Sequence, residues 1–379
     1  MAILQQVGNA LVYRYDAEEL RIEPWGENSL RVRACKVQPM PERPWALTEP
    51  VEQSAQIRIG EKNGEIVNGQ LRAVISTSGW LQFFNAQGKE LLREYSRNRR
   101  DLFSENCSAL EVEAREFRPI LSGDYQLTAR FESLDPEERI YGMGQYQQPY
   151  LNLKGVDLEL AQRNSQASVP FFLSSRGYGF LWNTPAVGRA VFGKNILSFE
   201  AVSTDILDYW VTAGDTPAQI EEQYASVTGK VPMMPDYAMG FWQCKLRYQT
   251  QEELLSIARE YKRRGLPISV IVVDFFHWPL QGDWKFDPTY WPDPDAMIQE
   301  LKDMGIELMV SIWPTVDKRC ERYQDMVEKG YLIRVDRGVR TAMEFQGSTT
   351  HYDATNPGAR EYVWSIAKQN YYDKGVRIF

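Results

Sequence analysis

Histidine is nearly missing. The 379-residue chain has two, His277 and His351, so it cannot build a multi-histidine metal centre and has few options for a Ser/His/Asp triad. Cysteine is almost as scarce. Cys35, Cys107, Cys244 and Cys320 lie far apart with no CxxC pair, which argues against a zinc or redox centre and predicts four separate reduced thiols. Long apolar runs are absent too: Ile268 to Val273 is six residues broken by Ser269, far short of a membrane-spanning helix, so no membrane partner is expected. Positive charge is not in excess. With 43 basic against 51 acidic residues the formal charge is −8, which argues against a nucleic-acid partner. The start, Met1 to Leu11, has neither a basic leader nor a continuous apolar core, and a cytoplasmic location is the expectation.

What remains is an ordinary globular balance, 43% hydrophobic and 25% charged, long enough for two or three domains. Chemistry must then lean on carboxylates. Aromatic residues make up 12% of the chain, with 11 Trp and 20 Tyr, and such rings cover sugar faces as readily as they fill a core.

Through about residue 215 the pattern is short alternation bounded by turn residues, as in Leu20–Glu23, Leu30–Arg33 and Tyr125–Phe131. Leu71–Ser76 and Trp80–Phe84 are joined through Ser78-Gly79, and Asn85 to Gly88 turns the chain toward Leu91. A β-sandwich explains this best. Thr216-Pro217 then opens one short helix that Gly229 closes, and Pro232 and Pro235 mark the passage to a second domain. The domains expected are 1–232 and 233–379.

Beyond the prolines, strand and helix alternate. Ala238–Cys244, Ile268–Asp274 and Glu307–Trp313 read as strands. Helices are expected from Thr250 to Gly265, around Asp295–Met304, over Lys318–Glu328 and after Asn356-Pro357. Val376–Phe379 begins a fourth strand. About 140 residues follow the boundary, whereas a closed (β/α)8 barrel needs about 250. An open doubly wound sheet would need a glycine loop after its first strand, and Trp242–Tyr248 contains no glycine. The expected architecture is therefore a β-sandwich followed by the first half of a (β/α)8 barrel, with strands one to three and the start of strand four.

In such barrels working residues gather at the C-terminal strand ends. Asp274 ends the second strand, Trp313 the third, and Tyr248 follows the first. A carboxylate there can accept hydrogen bonds from sugar hydroxyls while rings exclude water. A loop cap would explain Asp274 alone and core packing would explain the rings. Asp283, Asp287, Asp293 and Asp295 do not match a calcium loop, so turn and cap roles are expected and no metal or other cofactor is.

Gly240–Tyr248, Val272–Trp278, Asp283–Pro294 and Val310–Pro314, with Arg139–Gly144 and Val169–Trp182 upstream, resemble glycoside hydrolase family 31. The resemblance runs most strongly to its bacterial α-xylosidases and covers most of the chain beyond about residue 120. It implies a retaining α-glycosidase with an aspartate nucleophile and an aspartate acid/base. The nucleophile would follow a run like Val376–Phe379 in a Trp-x-Asp pattern and the acid/base would come later, so neither is expected in these 379 residues. Carried over, Asp274 grips the non-reducing-end sugar, Tyr248 and Trp313 are pocket walls, and Phe276 narrows the pocket toward a pentose. His277 is a loop residue beside the pocket, and Asn164 resembles a sandwich loop reaching over the site, although a turn role fits it equally well. The implied partner is an oligosaccharide, with the second half of the barrel as structural complement and self-association left open. An α-glucosidase of the same family and a non-catalytic carbohydrate-binding protein are the alternatives.

Overall fold

Alternation in Leu71–Ser76 puts Leu71, Ala73 and Ile75 wholly inside and leaves Arg72, Val74 and Ser76 on the half-buried face. The strands beside it obey the same rule, and the computed structural model assembles them into stacked antiparallel sheets. It describes residues 3–48, 54–95, 112–335, 338–339, 343–344 and 347–379, in two units, Met1–Val231 and Pro232–Phe379.

In the first unit an eight-stranded sheet runs, in spatial order, Leu4–Val7, Ala10–Tyr15, Glu18–Pro24, Ser29–Lys36, Leu207–Ala213, Tyr178–Trp182, Ala167–Ser174 and Ile140–Gln145. Two five-stranded antiparallel sheets complete the sandwich. One is a meander from Gln56–Ile59 to Glu90–Arg93. The other runs Arg115–Pro119, Tyr125–Glu132, Ile196–Thr204, Gly188–Phe192 and Asp157–Leu160. One apolar core draws on all three sheets, among others Leu30, Val32, Ile75, Phe83, Phe131, Phe180 and Phe199. In the meander, Asn85 Oδ1 accepts from the amides of Gln87 and Lys89 at 3.1 and 2.8 Å, which closes the turn expected there.

Ser29–Lys36 departs from simple alternation because both of its faces are covered. Arg31 and Arg33 are buried, and each is neutralised. Arg31 Nε and Nη2 reach the two Asp208 oxygens at 3.0 and 2.6 Å, and Arg33 pairs with Glu23 and Glu42. Helix α1, Pro217–Thr228, ends the unit. Thr216 and Gln219 cap it reciprocally, and Ile220 and Val227 pack with Trp25, Phe171 and Trp210.

The second unit carries three parallel strands, Trp242–Gln243, Val270–Val273 and Glu307–Val310, in that spatial order. Helix α2, Gln251–Arg263, follows the first strand, and α3, Pro294–Asp303, follows the second. Helices α4, Tyr323–Glu328, and α5, Pro357–Ala367, come after the third. Thr250 caps α2 by accepting from the Glu253 amide at 3.1 Å, and the helix buries Leu254, Leu255 and Ala258. Gly265 and Gly305, both with φ +66°, let the chain leave α2 and α3 in a left-handed turn, after which Leu266 and Ile306 donate back to the Tyr261 and Leu301 carbonyls. This is a partial (β/α)8 barrel.

Four expectations need correction. The first strand does not span 238–244, because Asp236–Met239 closes a 3-10 turn after Pro235 and only Trp242–Gln243 pair. The strands expected over 268–274 and 307–313 also stop early, at Val273 and Val310, since ladder pairing between them ends there. The helix expected from Lys318 starts only at Tyr323, because the Asp317 carboxylate holds the Arg319 amide and side chain in a turn ahead of it. Val376–Phe379 contributes a single parallel bridge, Met309 to Ile378, rather than a strand. Cys35, Cys244 and Cys320 are free thiols, while Cys107 lies outside the described residues.

Candidate functional site

Buried parallel strands expose their C-terminal ends only where the ladder stops. At the second such end Asp274 follows Val273 directly and is half-buried. Its Oδ1 accepts from the Phe275 amide at 2.7 Å, which fixes the carboxylate at the strand tip. Its Oδ2 has one contact among the described residues, the Cys244 thiol at 4.0 Å. No Lys or Arg forms an ion pair with Asp274 among the described residues. Burial pushes the Cys244 thiol up, and the neighbouring Asp274 charge adds to that.

Four rings cluster around the ends of the second and third strands. Phe275 and Phe276 meet edge to face at 4.7 Å, and both lie against Trp313, at 5.3 and 5.7 Å. Trp278 is 6.0 Å from Phe276 and 6.0 Å from Trp313, which joins the second and third strand ends in one aromatic cluster. Trp284 donates its indole N–H to the Trp313 carbonyl at 2.9 Å and so anchors the third strand end. Phe276 sits at φ +58°, a left-handed conformation that costs a bulky residue about 1–2 kcal/mol and persists only where surroundings enforce it.

His277 differs from expectation. It is buried rather than beside an open pocket, and both ring nitrogens are engaged. Nδ1 lies 2.9 Å from the Asp274 carbonyl, which can only accept, so Nδ1 carries the proton and Nε2 accepts from the Tyr371 hydroxyl at 2.9 Å. Burial pushes this imidazole down to about 4, so the ring is neutral and holds the loop from behind Asp274 in sequence. Tyr248 is likewise buried, with its hydroxyl accepting from Gln243 Nε2 at 3.1 Å and Gln243 in turn accepting from Tyr261 at 2.7 Å. Its ring supports the first strand end and offers little open surface.

The strand ends thus bring Asp274, Phe276 and Trp313 together, with His277 and Tyr248 packed as support. Asn164 is exposed in the first unit, on a tight turn closed by the Arg163–Gln166 bridge in the connection from Asp157–Leu160 to Ala167–Ser174. Gln162 and Gln166 hold that turn through bonds to Ser168 and Ala161. Sequence reasoning missed Cys244, Arg247, Phe275 and Trp278. Cys244 and Phe275 had a usable signal, because each directly follows a strand or its terminal carboxylate. Arg247 had none: its Nη1 donates to the Phe276 carbonyl at 3.4 Å, across 29 residues of sequence.

The acidic cluster is occupied otherwise. Asp293 caps α3, Asp287 accepts from the Thr289 amide, Asp295 pairs with Lys374, and buried Asp283 accepts from the Leu280 and Glu321 amides. No group of three metal-ligating side chains occurs among the described residues. A carboxylate with no ion pair among the described residues, at a strand end that carries a ring cluster, is chemically suited to accept hydroxyl hydrogen bonds while apolar faces cover C–H bonds.

Residues 231–379 match the model of the glycosyl hydrolases family 31 TIM-barrel domain, and residues 19–189 that of the glycosyl hydrolase 31 N-terminal galactose mutarotase-like domain. A curated relative from Pseudescherichia vulneris, an uncharacterized family 31 glucosidase ORF2, is 50% identical over 100% of this chain and 73% of its own length. Alpha-xylosidase A of Aspergillus niger is 33% identical over 96% of this chain and 51% of its own. Among solved structures, a family 31 alpha-xylosidase from a soil metagenome, complexed with xylose, superposes with a TM-score of 0.92 at 57% identity. That match covers 100% of this chain and 57% of the other. The chain therefore spans between about half and three-quarters of the length of these relatives.

Proposed function

The chain belongs to glycosyl hydrolase family 31, and from that premise we propose that the protein is a retaining α-glycosidase that releases α-linked xylose from oligosaccharides. The observation that carries the proposal is the half-buried Asp274 carboxylate, which forms no ion pair among the described residues, at the strand end whose Phe275 and Phe276 rings pack with Trp313. Asp274 accepts hydrogen bonds from ring hydroxyls of the non-reducing-end sugar, and Phe276 fills the space that a hexose hydroxymethyl group would need. A solved xylose complex of a 57%-identical alpha-xylosidase supports the pentose.

Double displacement needs two carboxyl groups roughly 5–5.5 Å apart across the anomeric carbon, one as nucleophile and one as acid/base. In this proposal both are supplied by sequence that the relatives have beyond the matched region, and the present residues bind and orient the sugar. An α-glucosidase is the second reading, favoured by the Pseudescherichia vulneris relative being named a family 31 glucosidase. Matched aryl α-xyloside and α-glucoside, given to the full-length protein, separate the two: faster xylose release, with the α-anomer appearing first by NMR, is expected. Faster glucose release would favour the second reading. Sugar binding without turnover of either would mean a non-catalytic carbohydrate-binding protein.

A further inference from the structure

Phe276 holds an unfavourable backbone conformation, φ +58°, two residues after Asp274, where its ring lies 5.7 Å from that of Trp313. Something must hold it there, because a bulky L-residue left to itself relaxes out of the left-handed region. One side chain from another strand end contacts both parts of this residue. Arg247, in the loop after the first strand, donates from Nη1 to the Phe276 carbonyl at 3.4 Å, and its guanidinium carbon lies 5.8 Å from the centre of the Phe276 ring. The first contact restrains the backbone. The second favours the ring face turned toward the cation. Arg247 forms no ion pair among the described residues; the Glu253 carboxylate, which feels its charge, is paired with Lys245 instead. A planar fork with several N–H groups can serve carbonyl and ring together, whereas a lysine ammonium, a point charge on a flexible stem, serves one at a time.

We propose that Arg247 is a specificity-determining positioning residue, which sets the width of the sugar pocket by fixing Phe276. The proposal rests on the pentose reading given above and adds the residue that enforces it. Arg247 itself touches no reacting atom. Phe275, Trp313 and Trp278 also contact the Phe276 ring, at 4.7, 5.7 and 6.0 Å, and the Arg247 contacts add to this packing.

The test is a double-mutant cycle in the full-length protein. Wild type, Arg247→Met, Phe276→Ala and the double variant are each assayed for kcat/KM on an aryl α-xyloside and the matching α-glucoside, with melting temperature recorded for all. Arg247→Met should lower the xyloside-to-glucoside ratio about tenfold, Arg247→Lys should recover part of that, and Arg247→Met should change the ratio no further once Phe276 is Ala. A purely structural arginine would lower both activities together and leave the ratio unchanged, and that result would overturn the proposal. So would an equal ratio change in the Phe276→Ala background, since Arg247 would then act independently of Phe276. If Arg247→Met does not fold, the Arg247→Lys pair of measurements decides by the same criterion. A wild type that prefers the glucoside would overturn the pentose reading alone, because the cycle still shows whether Arg247 controls selectivity through Phe276.

Discussion

Asp274 and His277 are three residues apart and have opposite electrostatic situations. Asp274 sits half-buried at a strand tip with no ion pair among the described residues; His277 is buried, neutral and bonded through both ring nitrogens, to the Asp274 carbonyl and the Tyr371 hydroxyl. Their variants should therefore separate function from stability. Charge-assisted hydrogen bonds to a sugar are worth about 1.5–3 kcal/mol each, so Asp274→Ala in the full-length protein should cut kcat/KM by about 10²-fold, equivalent to about 2.7 kcal/mol. Its melting temperature should hold. A variant that melts earlier while keeping its activity per folded molecule would make Asp274 a structural cap. For His277 the sign follows from its depressed value of about 4 against 6.5 when unfolded. Between those two pH values the unfolded chain binds a proton that the folded one does not, so stability is present above about 6.5 and is lost as pH falls toward 4, by about 3 kcal/mol in all. Urea unfolding of wild type and His277→Gln across pH 4 to 7 should show the wild-type advantage shrinking as pH falls. A constant difference would mean that the ring titrates normally in the folded state.

Helix ends were the most legible elements, because caps act within one turn of sequence. Thr216 with Gln219, Thr250, Asp293 and Asn356 each place a side-chain acceptor on the first-turn amides, as their residue types suggested. Strand lengths were less legible, since a parallel ladder ends where its neighbour ends. The first strand is the clearest example. Gly240 precedes it, and a Cβ there would lie 1.8 Å from Ser269 Oγ and 2.6 Å from Ser269 Cβ, so the first and second strands approach too closely for any side chain. Gly240→Ala should destabilise the protein by about 1–3 kcal/mol through overpacking, and Ser269→Gly in the same chain should restore part of the loss. Equal denaturation midpoints for wild type and Gly240→Ala would show that the strands can separate without cost. At the site, the strand-end positions of Asp274 and Trp313 were visible as residues following apolar runs. The Arg247 contact with Phe276 was not, because it joins two aperiodic loops and depends on a left-handed Phe276 that no local pattern announces.

Across the whole molecule the division of labour is between a sandwich stabilised by one core drawn from three sheets and a partial barrel that presents the strand ends. The buried Arg31–Asp208 and Arg115–Glu94 pairs belong to the first unit and need no part in chemistry. Because the proposed mechanism takes its two catalytic carboxyl groups from beyond the matched region, residues 1–379 expressed alone should hydrolyse no aryl α-xyloside. Robust turnover by a mass-verified chain of that length would mean that the pair lies within it. The most direct test of the account is a crystal structure of the full-length protein with xylose. It predicts the Asp274 carboxylate within about 2.5–3.2 Å of sugar hydroxyls, with Phe276 against C5 and Trp313 along the ring. Xylose bound elsewhere, or seated with Asp274 out of hydrogen-bond reach, would contradict it.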